Sequence, residues 1–439
     1  MRFLHRQSPA FPVTQLVLIF PRTGVCLDPP DRQGLTRLAA RMIFTGAGGL
    51  SHTEYNSRLE RLGASAGCGL SSDHVTLRLT ALTRNLDAAL DLVLDAIERP
   101  NLDSEEFRRL REELHSSWIS DREEHKHLRA QDVYIRAMYG GGATGYQADG
   151  TEAGLLSATI DDVRRQVPRL YGQADPILGV LSDLTREEAE RRIAPRFAAL
   201  RRAEGGGGYP WDGFRMERPR RRQATIIADP ATQTDELIAG AFSVGENDPN
   251  WHIHRLIALI FGGDMNSRLF RVIRGEHGFS YGASCWYEST QGRAPRNQVS
   301  PFTLYTFPTV EHTAEALPML VKLYEDLVER GVESGELKRA QEALIHSHAF
   351  LRDTPQKLLY LDCDEALYGI PTDDETVNRR KISEVTPEEM LRVLRATHHP
   401  ESLTFTLLGD AKRLEAAARR VPGLDGIELI EYPERRSAA

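Results

Sequence analysis

Gly262 to Tyr281 reads GGDMNSRLFRVIRGEHGFSY, and its glycines, apolar spacing and final aromatic describe a helix passing into a strand. The pair Gly262-Gly263 closes an apolar helix predicted over Ile253 to Phe261. A second, amphipathic helix is predicted from about Asn266, with Leu269, Phe270 and Ile273 spaced for its buried side. Gly278 breaks that helix, and a strand opens at Tyr281 and runs to Tyr287. Arg274 falls in the last helical turn, where the helix dipole favours a cation, seven residues before Tyr281. A rigid fork of five N–H donors and a phenolic hydroxyl would then project near each other, a pairing suited to a carbonyl or carboxylate. An arginine at a helix end and a tyrosine at a strand start also serve as a carbonyl cap and a core edge, so spacing alone leaves both roles open.

The tetrapeptide NSRL that starts at Asn266 also starts at Asn56, in NSRLERLGASAGCG, and two longer pairs of segments repeat around it in the same order. DAALDLVLDAIERPNLDSEEFRRLREEL, ending at Leu114, parallels AEALPMLVKLYEDLVERGVESGELKRAQEAL, ending at Leu344. Each reads as helix, turn, helix, with Glu106-Phe107 or Glu336-Leu337 opening the second helix. SATIDDVRRQVPRLYGQADPILGVLSD, ending at Asp183, parallels SEVTPEEMLRVLRATHHPESLTFTLLGD, ending at Asp410. Thr159 and Thr386 are the predicted N-caps there, and a buried strand follows each helix, Ile177 to Leu181 or Leu403 to Leu408. The glycine run Gly205 to Gly208, followed by Arg218, Arg220, Arg221 and Arg222, marks a solvated linker between the repeats. The expected organisation is a first unit over 1–203, a linker over 204–222 and a second unit over 223–439. Further strands are predicted at Val13 to Phe20, His74 to Ala81, Ala224 to Ala228, Glu236 to Phe242 and Phe302 to Phe307. Strands and helices come in runs rather than strict alternation. The fold class is therefore α+β, with two tandem homologous α/β sandwich units, each a mostly antiparallel sheet with helices on one face.

The chain has 439 residues and a formal net charge of -8, which excludes a general nucleic-acid binder, because such proteins carry a basic footprint for phosphates. Cys26, Cys68, Cys285 and Cys363 show no CxxC spacing, so neither a disulfide framework nor a cysteine zinc site is indicated. The apolar run Val13 to Phe20 is broken by Thr14 and Gln15 and reads as a strand rather than a signal-peptide core. No run approaches the ~20 apolar residues of a membrane helix. No membrane or nucleic-acid partner is expected, and the expected location is the cytoplasm.

Two tandem α+β units with GG-x4-RLF-x3-R-x6-Y in the second resemble the pitrilysin/insulinase family of zinc peptidases, over essentially the whole chain. That family carries an H-x-x-E-H helix in its first unit, after a segment like GxxxEPPxxxGLAH. Here the segment is GVCLDPPDRQGLTRLAARMIF, so the histidine positions fall on Arg37 and Arg41 and the glutamate position on Ala40. The family's third ligand, a later glutamate, falls near Ser117. Arginine has no usable lone pair and stays cationic, alanine cannot take a proton from water, and serine is a poor substitute for the carboxylate. Among other candidates, His125/His127, His252/His254, His346/His348 and the adjacent pair His398/His399 lack convincing ligand spacing; residues two apart on a helix diverge by about 200° and cannot chelate together as an i, i+4 pair would. These histidines are expected to be solvated or capping. No cofactor is expected in this chain.

The resemblance implies a clam-shell of two units around a chamber. It implies that Arg274 and Tyr281 occupy the positions from which family peptidases reach across to a zinc site and help bind substrate. One bacterial branch divides these roles between two proteins, one with the zinc helix and one with a degenerate helix and an intact Arg/Tyr pair, and this chain looks like the second kind. The implied function is a non-catalytic subunit, not a peptidase alone, whose Arg274 and Tyr281 complete in trans the site of a homologous H-x-x-E-H subunit that holds zinc and hydrolyses peptides. The alternative is a structural or assembly subunit, like the core subunits of the mitochondrial cytochrome bc complex. A third is a metal-independent peptide-binding protein or a stand-alone enzyme with an unfamiliar site. A homodimer in isolation is compatible with the first reading. Arg37 and Arg41 are expected to form a solvated helix face paired with Glu112 or Glu113, the alternative being an anion pocket.

Overall fold

The structure, a computed structural model, describes residues 1–172, 176–198, 200 and 208–432. Residues 204–207 of the expected linker lie outside the described residues. The chain forms two compact units that interleave in sequence. One comprises Met1–Ser120, Tyr146–Phe214 and Phe350–Thr372; the other comprises Asp121–Gly145, Arg215–Ala349 and Asp373–Ala439.

The first unit is built on strands β1 (Arg2–Gln7), β2 (Val13–Pro21), β3 (Ser65–Leu70), β4 (His74–Leu82) and β5 (Ile177–Ser182), in spatial order β1-β5-β2-β4-β3. β1 runs parallel to β5 and every other pairing is antiparallel. β2 is buried on both faces, as its near-continuous apolar run requires. Phe20 meets Tyr171 of the Ile160–Tyr171 helix edge to face, with ring centroids 5.1 Å apart. Val17 and Ile19, on the opposite face, pack with Ile177 and Leu181 against Leu359 and Cys363 of the Pro355–Tyr368 helix. Arg6 anchors that helix to β1 through a two-pronged bond to Asp362, at 2.6 and 2.7 Å.

The second unit repeats the plan with β6 (Arg222–Ala228), β7 (Glu236–Phe242), β8 (Ser280–Tyr287), β9 (Pro301–Pro308), β10 (Thr404–Gly409) and β11 (Leu424–Ile430), ordered β11-β6-β10-β7-β9-β8. β6 is parallel to β10 as β1 is to β5, β7, β9 and β8 follow as β2, β4 and β3 do, and β11 is added beyond β6. The duplication read from three pairs of segments is thus carried through the strand order. One face of this sheet supports the main core, including Leu237, Ala239, Ala241, Ile257, Phe261 and Leu320. Toward the other lies the Lys126–Met138 helix, whose Tyr134 hydroxyl bonds the Thr303 hydroxyl at 2.8 Å and whose buried Arg129 pairs with Asp229 at 2.8 Å. Each sheet therefore takes one covering helix from the other half of the sequence.

Thr159 and Thr386 cap their helices through the N–H groups of Asp162 and Glu389. β1 and β11 were not anticipated, because both are edge strands whose described side chains are nearly all partly buried or exposed, which removes the apolar alternation that marks a half-buried strand. Among the described residues no helix is long and apolar enough to cross a membrane.

Candidate functional site

Helix Leu35–Met42 carries the positions at which the family pattern has its metal ligands. Asp28, from the LDPP segment, holds its start: the carboxylate accepts the N–H groups of Gly34 and Thr36, both at 2.7 Å. Burial pushes the Asp28 carboxyl up, to about 7, while those bonds pull it down. Replacing Asp28 by alanine removes both acceptors from a buried helix start, and urea unfolding is expected to show a loss of about 2 kcal/mol.

The two guanidinium groups diverge. Arg37 pairs with Asp149 at 3.0 Å, and Arg41 donates to Glu113 at 2.7 Å, one of the two carboxylates anticipated for it. Ala40 is buried, with its carbonyl accepting the Tyr171 hydroxyl at 3.4 Å. Ser117 lies on the Ser104–Glu124 helix, one turn beyond Glu113. A cavity of about 400 Å³ opens beside Arg41, lined also by His52, Cys68, Arg109 and Glu113. These residues do not fit a zinc ion: two of the four family positions are cations already holding the protein's own carboxylates, and a third is a buried methyl group. Among the described residues no group of three or more His, Cys, Asp or Glu side chains is arranged to hold a metal.

The Gly262 to Tyr281 segment departs from a regular α-helix in two places. The Trp251–Ala258 helix widens into a π-turn at Leu259–Gly263, and a second π-turn spans Phe270–Glu276. The second helix begins at Arg268 rather than Asn266, because the Asp264 carboxylate takes the Asn266 N–H at 2.8 Å and holds that residue in a turn. Its end is fixed by the N–H groups of His277 and Phe279, which reach back to the carbonyls of Val272 and Ile273 at 3.1 and 2.9 Å. Such π-turns are rare and concentrate at functional sites. Leu269 and Ile273 are fully buried, whereas Phe270 is only half-buried.

Arg274 and Tyr281 do meet. The Arg274 guanidinium carbon lies 4.2 Å from the centroid of the Tyr281 ring and 4.8 Å from that of Phe270, while Tyr281 is 74% exposed. Among the described residues the Arg274 guanidinium makes no hydrogen bond or ion pair, so its N–H fork is available to a ligand. Phe270 was not singled out as a site residue. The signal was present in its spacing of four from Arg274, which places both on one helix face.

Three of these histidines depart from the solvated or capping roles expected of them, while His346 is exposed as expected. His254, His398 and His348 are buried. His254 Nδ1 meets the Tyr287 hydroxyl at 2.9 Å, that hydroxyl meets His398 Nε2 at 3.2 Å, and His398 Nδ1 meets the Tyr324 hydroxyl at 2.9 Å. Burial lowers His254 to about 4 and His398 well below the ordinary imidazole value. His125 and His127 approach to 5.6 Å between ring centroids because His125 precedes the Lys126–Met138 helix and does not share its geometry.

Residues 7–151 match the family model described as insulinase (peptidase family M16), and residues 157–344 match the peptidase M16 inactive domain. The chain is 23% identical to the "uncharacterized zinc protease YmxG" of Bacillus subtilis over 81% of its own length and 84% of that protein's. It is 22% identical to the "uncharacterized zinc protease SCO5738" of Streptomyces coelicolor, over 86% and 81% of the two chains. A peptidase M16 inactive domain from Pseudomonas fluorescens superposes with a TM-score of 0.80 at 19% identity, covering 93% of this chain and 95% of that one. A protease from Helicobacter pylori does so with a TM-score of 0.76 at 13% identity, covering 92% and 96%.

Proposed function

The chain belongs to the insulinase (M16) family of peptidases, as a homologue whose own metal helix is inactive, and from that premise we propose that it is the substrate-binding, non-catalytic subunit of a two-chain zinc peptidase. Arg274 and Tyr281 would enter the active site of a homologous H-x-x-E-H subunit, which supplies the zinc, the activated water and the general base. The observation that carries this reading is the contrast between two arginine sites: Arg37 and Arg41 are engaged with carboxylates, whereas Arg274 is ringed by aromatics and has its donors unused. A scaffold subunit gives no reason to hold an unengaged guanidinium beside an exposed tyrosine. In the proposed role the Tyr281 hydroxyl donates to the scissile carbonyl as negative charge develops on it, and Arg274 holds an acceptor group of the same peptide. Peptides are the substrates. This chain holds no zinc of its own.

Co-purified with its H-x-x-E-H partner, the pair is expected to cleave peptides, and Arg274→Ala or Tyr281→Phe to lower kcat/KM at least tenfold, the scale of one lost transition-state donor, without dissociating the subunits. Elemental analysis is expected to find zinc in the partner and none in this chain. Wild-type turnover in both variants would sink the in-trans role and leave the assembly-subunit reading. Stoichiometric zinc in the isolated chain would contradict the account of the Leu35–Met42 helix.

A further inference from the structure

We infer that the group Arg274 takes is a carboxylate rather than a neutral carbonyl, and that Phe270 is the residue that positions its fork; this rests on the reading above that the segment binds a peptide. Three arginines follow one another at spacings of three along this stretch, and their environments differ. Arg268 is engaged: its Nε donates to Glu336 at 2.8 Å and its Nη2 to the Gly331 carbonyl at 2.9 Å. Arg271 has Glu276 at 3.7 Å. Arg274 alone of the three has neither carboxylate nor carbonyl; its neighbours are the rings of Phe270 and Tyr281, which make no ring contact with each other. Aromatic faces stabilise a guanidinium and restrict its rotation, but they accept none of its in-plane N–H bonds.

Two consequences follow for a ligand. The positive charge of Arg274 is uncompensated by any acidic side chain in contact with it. The donors left open form a planar fork whose geometry matches two oxygens carrying one negative charge. A peptide carbonyl satisfies part of the fork and none of the charge; a carboxylate satisfies both. The carboxylate belongs to an Asp or Glu side chain of the peptide or to its C-terminus, and the chemistry at Arg274 is the same for either. Phe270 and Tyr281 contribute their rings to this step. The Tyr281 hydroxyl is not needed for it, which separates carboxylate capture from the hydroxyl's role in turnover.

The experiment uses the full chain and three decapeptides of alanine, serine and tyrosine, each N-terminally labelled with an uncharged BODIPY dye: one with a central Glu and an amidated C-terminus, one with Gln and the amide, and one with Gln and a free C-terminal carboxylate. Anisotropy titration at low salt is expected to show at least one carboxylate peptide bound about tenfold more tightly than the neutral one, with the ratio narrowing as salt is added. Which of the two it is identifies the source. Arg274→Ala is expected to reduce the ratio to one. Phe270→Leu is expected to lower it about threefold with an unchanged melting temperature, an effect that a merely structural role would not produce. Tyr281→Phe is expected to keep the ratio, even though it slows turnover in the two-chain enzyme. Equal binding of all three peptides overturns the carboxylate assignment and leaves the peptide-binding reading standing. A preference that survives Arg274→Ala places the carboxylate elsewhere and also overturns it, and a ratio unmoved by Phe270→Leu removes the positioning role. Failure of every peptide to bind removes both the inference and the reading beneath it.

Discussion

Gly262→Val is expected to be among the most damaging single substitutions in the second unit, costing more than about 4 kcal/mol in urea unfolding and displacing the strand that carries Tyr281. A Cβ at Gly262 would stand 2.5 Å from the Cys285 nitrogen, 2.8 Å from the Ser284 carbonyl carbon and 2.9 Å from the Cys285 sulfur. Two of those atoms are backbone of β8, which is paired to β9 and cannot step aside without breaking that ladder. The absence of a side chain at Gly262 is what lets the π-turn at Leu259–Gly263 lie directly on the strand. Alanine there is expected to cost about 2 to 3 kcal/mol, since a single methyl group already overlaps main chain. The neighbouring glycine is the control. A Cβ at Gly263 meets its nearest atoms at 3.2 Å and the position is exposed, so Gly263→Ala is expected to change stability by less than about 1 kcal/mol. If Gly262→Ala and Gly263→Ala prove equally mild, the close approach is not what holds this segment on the sheet.

The second large effect is on acid stability. The unfolded chain's imidazoles take up protons as the pH falls through about 6.5, whereas folded His254 stays neutral to about 4 and burial holds His398 well below the ordinary imidazole value too. In that window the unfolded state binds more protons than the folded one. Stability is therefore present above about pH 6.5 and is lost as the pH drops, by about 3 kcal/mol for His254 alone down to pH 4. Around the pair stand Tyr287, Tyr324 and Phe302, with Asp248 at 3.9 Å from His254 Nε2 as the nearest carboxylate and His252 and His399 as further imidazoles that disfavour a second charge. Asp28, in the other unit, acts in the opposite sense. Its carboxyl is raised to about 7, so it loses its proton later in the folded state and contributes stability that fades as the pH rises from about 4 to 7. The readout that isolates the histidines is the difference between the wild-type pH profile and that of the His254→Gln/His398→Gln double variant. The double variant is expected to be less stable at pH 7 and to have a flatter profile from pH 6.5 to 4. Parallel profiles would show that the two imidazoles titrate normally.

What the sequence disclosed and what it hid divide along a physical line. Thr159 and Thr386, each followed by acidic residues, declared their helices because capping is local chemistry. The loss of lone pairs at Arg37, Ala40 and Arg41 was legible because donor capacity belongs to a residue type, wherever the fold puts it. The meeting of Arg274 with Tyr281 could be expected from a helix end running into a strand, but the aromatic contact with Phe270 and the π-turn that shapes it could not. Apolar spacing reports which face of a helix is buried, and it does not report whether its hydrogen bonds reach back four residues or five. The chain from His254 through Tyr287 and His398 to Tyr324 joins residues as far apart as 144 positions from His254 to His398, and only the folded sheet brings them together. Likewise only the folded structure shows that Lys126–Met138 covers the second sheet and Pro355–Tyr368 the first.

That last feature sets the order in which the protein can be made. As the chain leaves the ribosome, the first sheet is complete once β5 has appeared at Ser182, yet one of its faces waits for a helix that ends at Tyr368. The nascent first unit therefore exposes Val17, Ile19, Ile177 and Leu181 while some 190 further residues are synthesised, and it already carries in Lys126–Met138 a helix meant for a sheet that does not yet exist. Dividing the gene between the repeats would yield two products that each lack one cover and hold the other's. Each is expected to leave one sheet face uncovered when made alone and to be completed by the other when the two are produced together, and translation of the intact chain does the same with both halves supplied in equal number.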